Sequence, residues 1–199
     1  MKDVCAWLVG FVALAFAARY VHQVKQGKVA PALSTWLIFL VGVVLSFITY
    51  AVAEKRDFRS GVLNTVDLVS ISFIVAGILM WGERNVRFKP FEKWHLAASG
   101  VLVLYGVCTG DAWNSNLLAQ VLIGIAYFPT WQNLVTRKRN TESWSGWALN
   151  LTASALALYP AFADGNKLAA IYACRAVTLI ICTMFLMAYY DIRAWKQSK

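Results

Sequence analysis

The charged residues of this chain stand in short clusters, and that spacing constrains the fold more than any motif does. Between the clusters run seven apolar stretches, at 5–21, 33–53, 61–81, 93–110, 113–131, 144–163 and 168–190. A helix that crosses a bilayer takes ~20 predominantly apolar residues, because hydrocarbon offers no partner to an unpaired backbone group. Each stretch is about that long. Only 15% of the 199 residues are charged, against about a quarter in an average soluble domain, and the mean hydropathy is +0.55. The sequence therefore reads as an all-α integral membrane protein with seven transmembrane helices. The first stretch reads as a retained span and not as a cleaved leader: it is long, carries Arg19 near its end and lacks a small-x-small cleavage site.

The net charge of +9 would suit a nucleic-acid binder in a soluble chain. In a membrane chain, basic residues are first a record of topology, since loops that stay inside retain Lys and Arg. With the N-terminus outside, the inner segments hold thirteen of them: Arg19, Lys25, Lys28, Arg84, Arg87, Lys89, Lys93, Arg137, Lys138, Arg139, Arg193, Lys196 and Lys199. The outer segments hold five, Lys2, Lys55, Arg56, Arg59 and Lys167. The expected orientation is N-terminus outside and C-terminus cytoplasmic, with the Lys55 to Arg59 cluster running against the rule. The expected partner of the basic surface is anionic lipid, and no nucleic acid.

Two hairpins repeat one plan. From Arg19 to Tyr50 and again from Ala126 to Pro160, a helix end leads into a basic loop and then into a Ser/Thr-Trp opening of an apolar run. Gln23 and Gln132 are 109 residues apart, Tyr50 and Tyr159 also 109, and Trp36 and Trp147 111, so the match takes a two-residue gap. This implies two parallel three-helix-bundle repeats joined by a linker helix. The units are 1–84, then 85–112 with the fourth stretch as linker, then 113–199.

Two charges fall inside the apolar stretches, and intramembrane charges are costly enough to be functional by default. Asp67 lies about six residues into the third stretch, or ~9 Å at the helical rise, and shares a face with Asn64. Arg175 lies in the seventh, 108 residues on. That offset is close to the repeat, so the two are expected to face each other and pair. Asn116, Gln120, Asn150 and Trp147 stand at helical spacings that point toward the same interior. These seven residues form the expected substrate site. The structural alternative is an ion pair joining the bundles, with the amides as interhelical glue of about 0.6 kcal/mol each.

Nothing in the sequence points to catalysis. It contains no HExxH, no glycine-rich phosphate loop and no nucleophile motif. The four cysteines form no CxxC pair and read as small apolar side chains; His22 and His95 stand alone, so no metal and no cofactor is expected. A retinal protein would need a lysine in mid-span of the last helix, where this chain has Arg175.

Three spans, a lone connector and three more, each triplet marked by an inner helix-loop-helix, resemble the SWEET and PQ-loop transporter group. FPTWQNLVTRKRNTESWSGWALN resembles the second PQ-loop of that group, and with GKVAPALSTWLIFL it is also similar to bacterial seven-span proteins. The resemblance implies a bacterial inner-membrane carrier that moves a small polar solute, sugar-like, amino-acid-like or nucleoside-like, by alternating access between two bundles. The chain departs from the group in three places. The Pro-Gln pair is replaced by Pro129-Thr130, the first span has no proline, and Arg175 stands where an amide would contact a neutral sugar. The alternative reading is a non-transporting receptor or scaffold with the same bundle, and a homo-oligomer is compatible with either.

Overall fold

A computed structural model describes residues 2–31, 33–53, 58–82 and 90–197. Lys55, Arg56, Arg84, Arg87, Lys89 and Lys199 of the charge count, and the expected boundary at 84/85, lie outside the described residues. Among those described there are eight α-helices and no strand: α1 Lys2–Lys25, α2 Leu33–Ala53, α3 Val62–Trp81, α4 Pro90–Thr109, α5 Ala112–Ile125, α6 Tyr127–Arg137, α7 Trp144–Ala163 and α8 Lys167–Gln197. Four of them, α1, α2, α3 and α8, are long and apolar enough to cross a membrane.

Local sequence explains most helix ends. Gly27, at φ +66, closes α1 in the left-handed conformation that a side chain disfavours, and the amides of Gly27 and Lys28 return to the carbonyls of Val24 and Gln23. Asp111 and Ser143 cap α5 and α7 by accepting from the amides of Asn114 at 3.0 Å and Gly146 at 2.9 Å. The expected fifth span is divided. Pro129 has no N–H for the carbonyl of Ile125, one turn back, and the chain turns at Ala126 before continuing helically as far as Arg137. The apolar stretch read from the sequence runs on to 131; the break comes within it, at Ala126. In α7 the apolar run is diluted by Asn150, Thr152, Ser154 and Tyr159, and Pro160 lies inside the helix without ending it.

The interior combines a large apolar core with a set of buried polar groups, and the exterior is rich in large apolar side chains. Ser46, Asn64, Ser70, Asn116, Ser154 and Thr183 are buried, whereas Trp7, Phe11, Leu104 and Phe185 are among the most exposed side chains. An apolar exterior with polar groups held inside suits hydrocarbon outside. α3 packs against both α1 and α2, and α8 against α5, α6 and α7. Across the middle, α1 runs along α7 and α2 along α5, while α4 touches only α2 and α5 among the larger contacts. Close approach depends on small residues: a Cβ added at Gly42 would lie 2.6 Å from Ile123 of α5, and one at Gly77 2.7 Å from Val21 of α1.

The two ends of the bundle differ. At the Lys2 end, Lys2 pairs with Asp164 and Arg59 with Asp3. Also at this end, Asn166 donates to both Tyr50 Oη and Ser60 Oγ at 2.9 Å, tying α8 to α2 and to the start of α3. The opposite, Lys25 end carries the described basic residues Arg19, Lys25, Lys28, Lys93, Arg137, Lys138, Arg139, Arg193 and Lys196.

Candidate functional site

Every helix except α4 contributes to one central cavity, whose two charged groups are Asp67 and Arg175. Its volume is about 30 Å³, room for about two waters at ~10–15 Å³ each. The rest of the wall is mainly aliphatic and aromatic, with Phe39, Val43, Ile71, Ile123 and Tyr127 prominent.

The two charges do not bond to each other. No carboxylate oxygen of Asp67 comes within 4.0 Å of the Arg175 guanidinium, which corrects the expected direct pair. Tyr172 stands between them. Its hydroxyl donates to Asp67 Oδ2 at 2.8 Å, and its ring lies 4.7 Å from the Arg175 guanidinium carbon, a cation–π contact. Arg175 Nε donates to Gln120 Oε1 at 2.9 Å. Among the described residues the other Asp67 oxygen and both terminal guanidinium nitrogens find no hydrogen-bond partner, and both side chains are only partly buried.

Tyr172 and Arg175 share a face of α8 because they are three residues apart, and Asp67 reaches the same point from α3. The geometry replaces a short ion pair by two charges held by neutral neighbours. Each charge is positioned by a hydrogen bond to a neutral group, and both line the cavity.

Gln120 connects this centre to a second polar group. Its Nε2 donates to Ser46 Oγ at 2.9 Å and to Asn116 Oδ1 at 3.2 Å. Asn116 Nδ2 donates to the Ser46 carbonyl at 2.8 Å and to Thr49 Oγ1 at 3.0 Å, and Asn64 Nδ2 donates to Ser46 Oγ at 3.1 Å. Ser46, fully buried, is thus the hub at which α2, α3 and α5 meet. These amides are committed to holding helices together, the role of interhelical glue.

Toward the Lys25 end the cavity is lined by rings in mutual contact. Tyr20 lies 4.9 Å from Trp36, Trp36 5.8 Å from Phe39, and Phe39 4.9 Å from Tyr127, which also approaches Trp147 at 5.9 Å.

Of the seven residues expected from the sequence, Asp67, Arg175, Trp147 and Asn150 line the cavity. Gln120 touches it through Arg175, whereas Asn64 and Asn116 belong to the Ser46 hub. The residue that sequence reasoning undervalued is Tyr172, although its position one turn before Arg175 was the available signal. Ser46 and Thr49, at i and i+3 in an otherwise apolar run, carried the same kind of signal. Among the described residues no group of three or more His, Cys, Asp or Glu is placed to hold a metal ion. No family model matches this sequence, and no curated protein or solved structure is detectably similar to it.

Proposed function

We propose that this protein is an integral membrane carrier for a small polar solute, with seven crossings arranged as two parallel three-helix repeats around a linker. The crossings are α1, α2, α3, α4, the broken α5–α6 unit, α7 and α8. Exchange of α1 with α5, α2 with α7 and α3 with α8 turns the α1–α7 contact into the α2–α5 contact, and in each triplet the third helix packs on the other two. That reciprocity supports the repeat, as do the residue offsets of about 109. The concentration of basic residues at the Lys25 end supports a cytoplasmic placement of that end.

One observation carries the carrier reading. Asp67 and Arg175 meet at a cavity between the triplets, held by Tyr172 and Gln120 and not by each other. A purely structural ion pair gains most from direct contact, because an uncompensated charge in a low-dielectric interior is strongly unfavourable. Two charges that are not paired with each other, at the interface between halves, suit a site where transporters of this symmetry hold their solute. A cavity of about 30 Å³ is an order of magnitude below the ~300–1,000 Å³ of ligand pockets, so this conformation is too tight for a solute, and solute entry requires the halves to separate.

The small size of the cavity is also the observation that favours a non-transporting receptor or scaffold. Uptake into proteoliposomes, against a panel of sugars, amino acids and nucleosides, separates the two. The carrier reading expects one class to equilibrate or accumulate, with at least a tenfold loss in Arg175→Gln and in Asp67→Asn. Absence of uptake for every class, together with ligand-induced thermal stabilisation in detergent, would favour the receptor.

A further inference from the structure

Among the described residues Glu142 is the most deeply buried charged side chain, 8% exposed. It lies in the loop between α6 and α7, outside the apolar stretches, yet its carboxylate turns inward. Oε2 accepts from Tyr20 Oη of α1 at 2.8 Å and from Trp147 Nε1 of α7 at 3.2 Å. Tyr20 and Trp147 are themselves buried. The sequence separation from Tyr20 is 122 residues, so this carboxylate joins the first triplet to the second.

Among the described residues no cation lies within 4.0 Å of the charge. From α1, Arg19 donates to Ser145 Oγ at 3.2 Å, His22 bonds Gln26, and Lys25 lies over the Trp81 ring. From α8, Asp191 accepts from Asn140 and Trp144. Lys28, Arg137, Lys138 and Arg139 are exposed, and the start of α2 presents Ser34, Thr35 and Trp36. None of these basic groups is within 4.0 Å of the Glu142 carboxylate. Burial lifts its pKa from the ordinary 4.5 to about 7, against the opposing pull of the Tyr20 and Trp147 hydrogen bonds.

We propose that Glu142 is a proton-binding site that latches α1 to α7 and closes the cavity at the Lys25 end when its proton is bound. The latch reaches the cavity wall directly, since Trp147 lines it and Tyr20 packs on Trp36, which lines it too. Protonated, the side chain keeps its acceptor oxygen for Tyr20 and Trp147 without placing a charge among rings. Ionised, it has only two neutral donors and is better solvated outside, so Tyr20 and Trp147 part. The closed form therefore binds the proton more tightly than the open one. Closure is complete below the solvated pKa and weakens as pH rises toward 7, the equilibrium shifting on the order of 10²-fold. What the latch gates rests on the carrier reading; the latch itself does not.

Hydrogen exchange of the full chain in lipid nanodiscs from pH 5 to pH 8, corrected for intrinsic exchange, tests this without any solute. In the wild type, protection of residues 140–147 and 16–24 is expected to fall together as pH rises, by up to ~10²-fold. Glu142→Gln, which keeps the acceptor and cannot ionise, is expected to hold one protection level throughout. Tyr20→Phe removes a donor to the ionised form and should extend the loss to higher pH. Protection independent of pH in the wild type, or falling equally in Glu142→Gln, overturns the latch. If the Gln variant does not fold, an unchanged midpoint in Tyr20→Phe overturns it. Flat exchange with active uptake removes the latch and leaves the carrier, whereas pH-dependent exchange without uptake does the reverse.

Discussion

Tyr172→Phe removes one oxygen and leaves the ring in place, so it isolates the contact that separates Asp67 from Arg175. The hydroxyl donates to a carboxylate at 2.8 Å, and hydrogen bonds to charged groups contribute ~1.5–3 kcal/mol. Interhelical bonds in bilayers run lower, with a maximum of ~1.7, because the unfolded chain in the membrane also finds partners. A cost of about 1.5 kcal/mol satisfies both ranges. In a chain of this size that lowers the unfolding temperature by ~3–6 °C. The contact of the ring with Arg175, at 4.7 Å, survives the substitution, so the loss belongs to the Asp67 bond. A double-mutant cycle makes the assignment. Thermal unfolding in one detergent, for the wild type, Tyr172→Phe, Asp67→Ala and the double variant, is expected to give a coupling of about 1.5 kcal/mol. A coupling below ~0.3 kcal/mol, the level at which independent sites add, would show that Asp67 does not depend on Tyr172 and would refute the geometry.

Exchanging the charges, as Asp67→Arg with Arg175→Asp, is expected to restore neither stability nor uptake over the single variants. Each charge is placed by its own neutral partner, and a carboxylate at 175 would meet the oxygen of Gln120; measured recovery would restore the direct pair. Gln120→Leu strips Arg175 Nε of its acceptor and detaches the Ser46 hub, and a loss of ~1–3 kcal/mol is expected by thermal unfolding. Gly61→Ala would put a Cβ 2.3 Å from the Tyr50 ring and displace the Tyr50–Ser60–Asn166 cluster, which should appear as lost protection at the start of α8 in hydrogen exchange. For Glu142, whose pKa rises from 4.5 to about 7 on burial, the sign is opposite to that of a salt-bridged carboxylate. Its contribution is full below pH 4.5 and is lost as pH rises through 7. The wild type should be less stable at pH 8 than at pH 5 by up to about 3 kcal/mol, and Glu142→Gln should remove that dependence.

The sequence alone determined that the chain is helical, where its apolar stretches lie and which two charges stand inside them. These follow from one-dimensional facts: the cost of a bare backbone or charge in hydrocarbon forces length and composition to declare themselves. Periodicity also placed Asn64 with Asp67 on a common face. A face is not a partner, however. Whether Asp67 bonds Arg175 or Tyr172, whether Gln120 lines a cavity or bridges to Ser46, and whether Glu142 faces water or Tyr20 depend on the rotation and depth of helices up to 122 residues apart. Shifts of an ångström or two in those helices exchange one hydrogen-bond partner for another. The break at Ala126, ahead of Pro129, and the burial of Glu142 between α1 and α7 were therefore decided only when the packed helices set the distances.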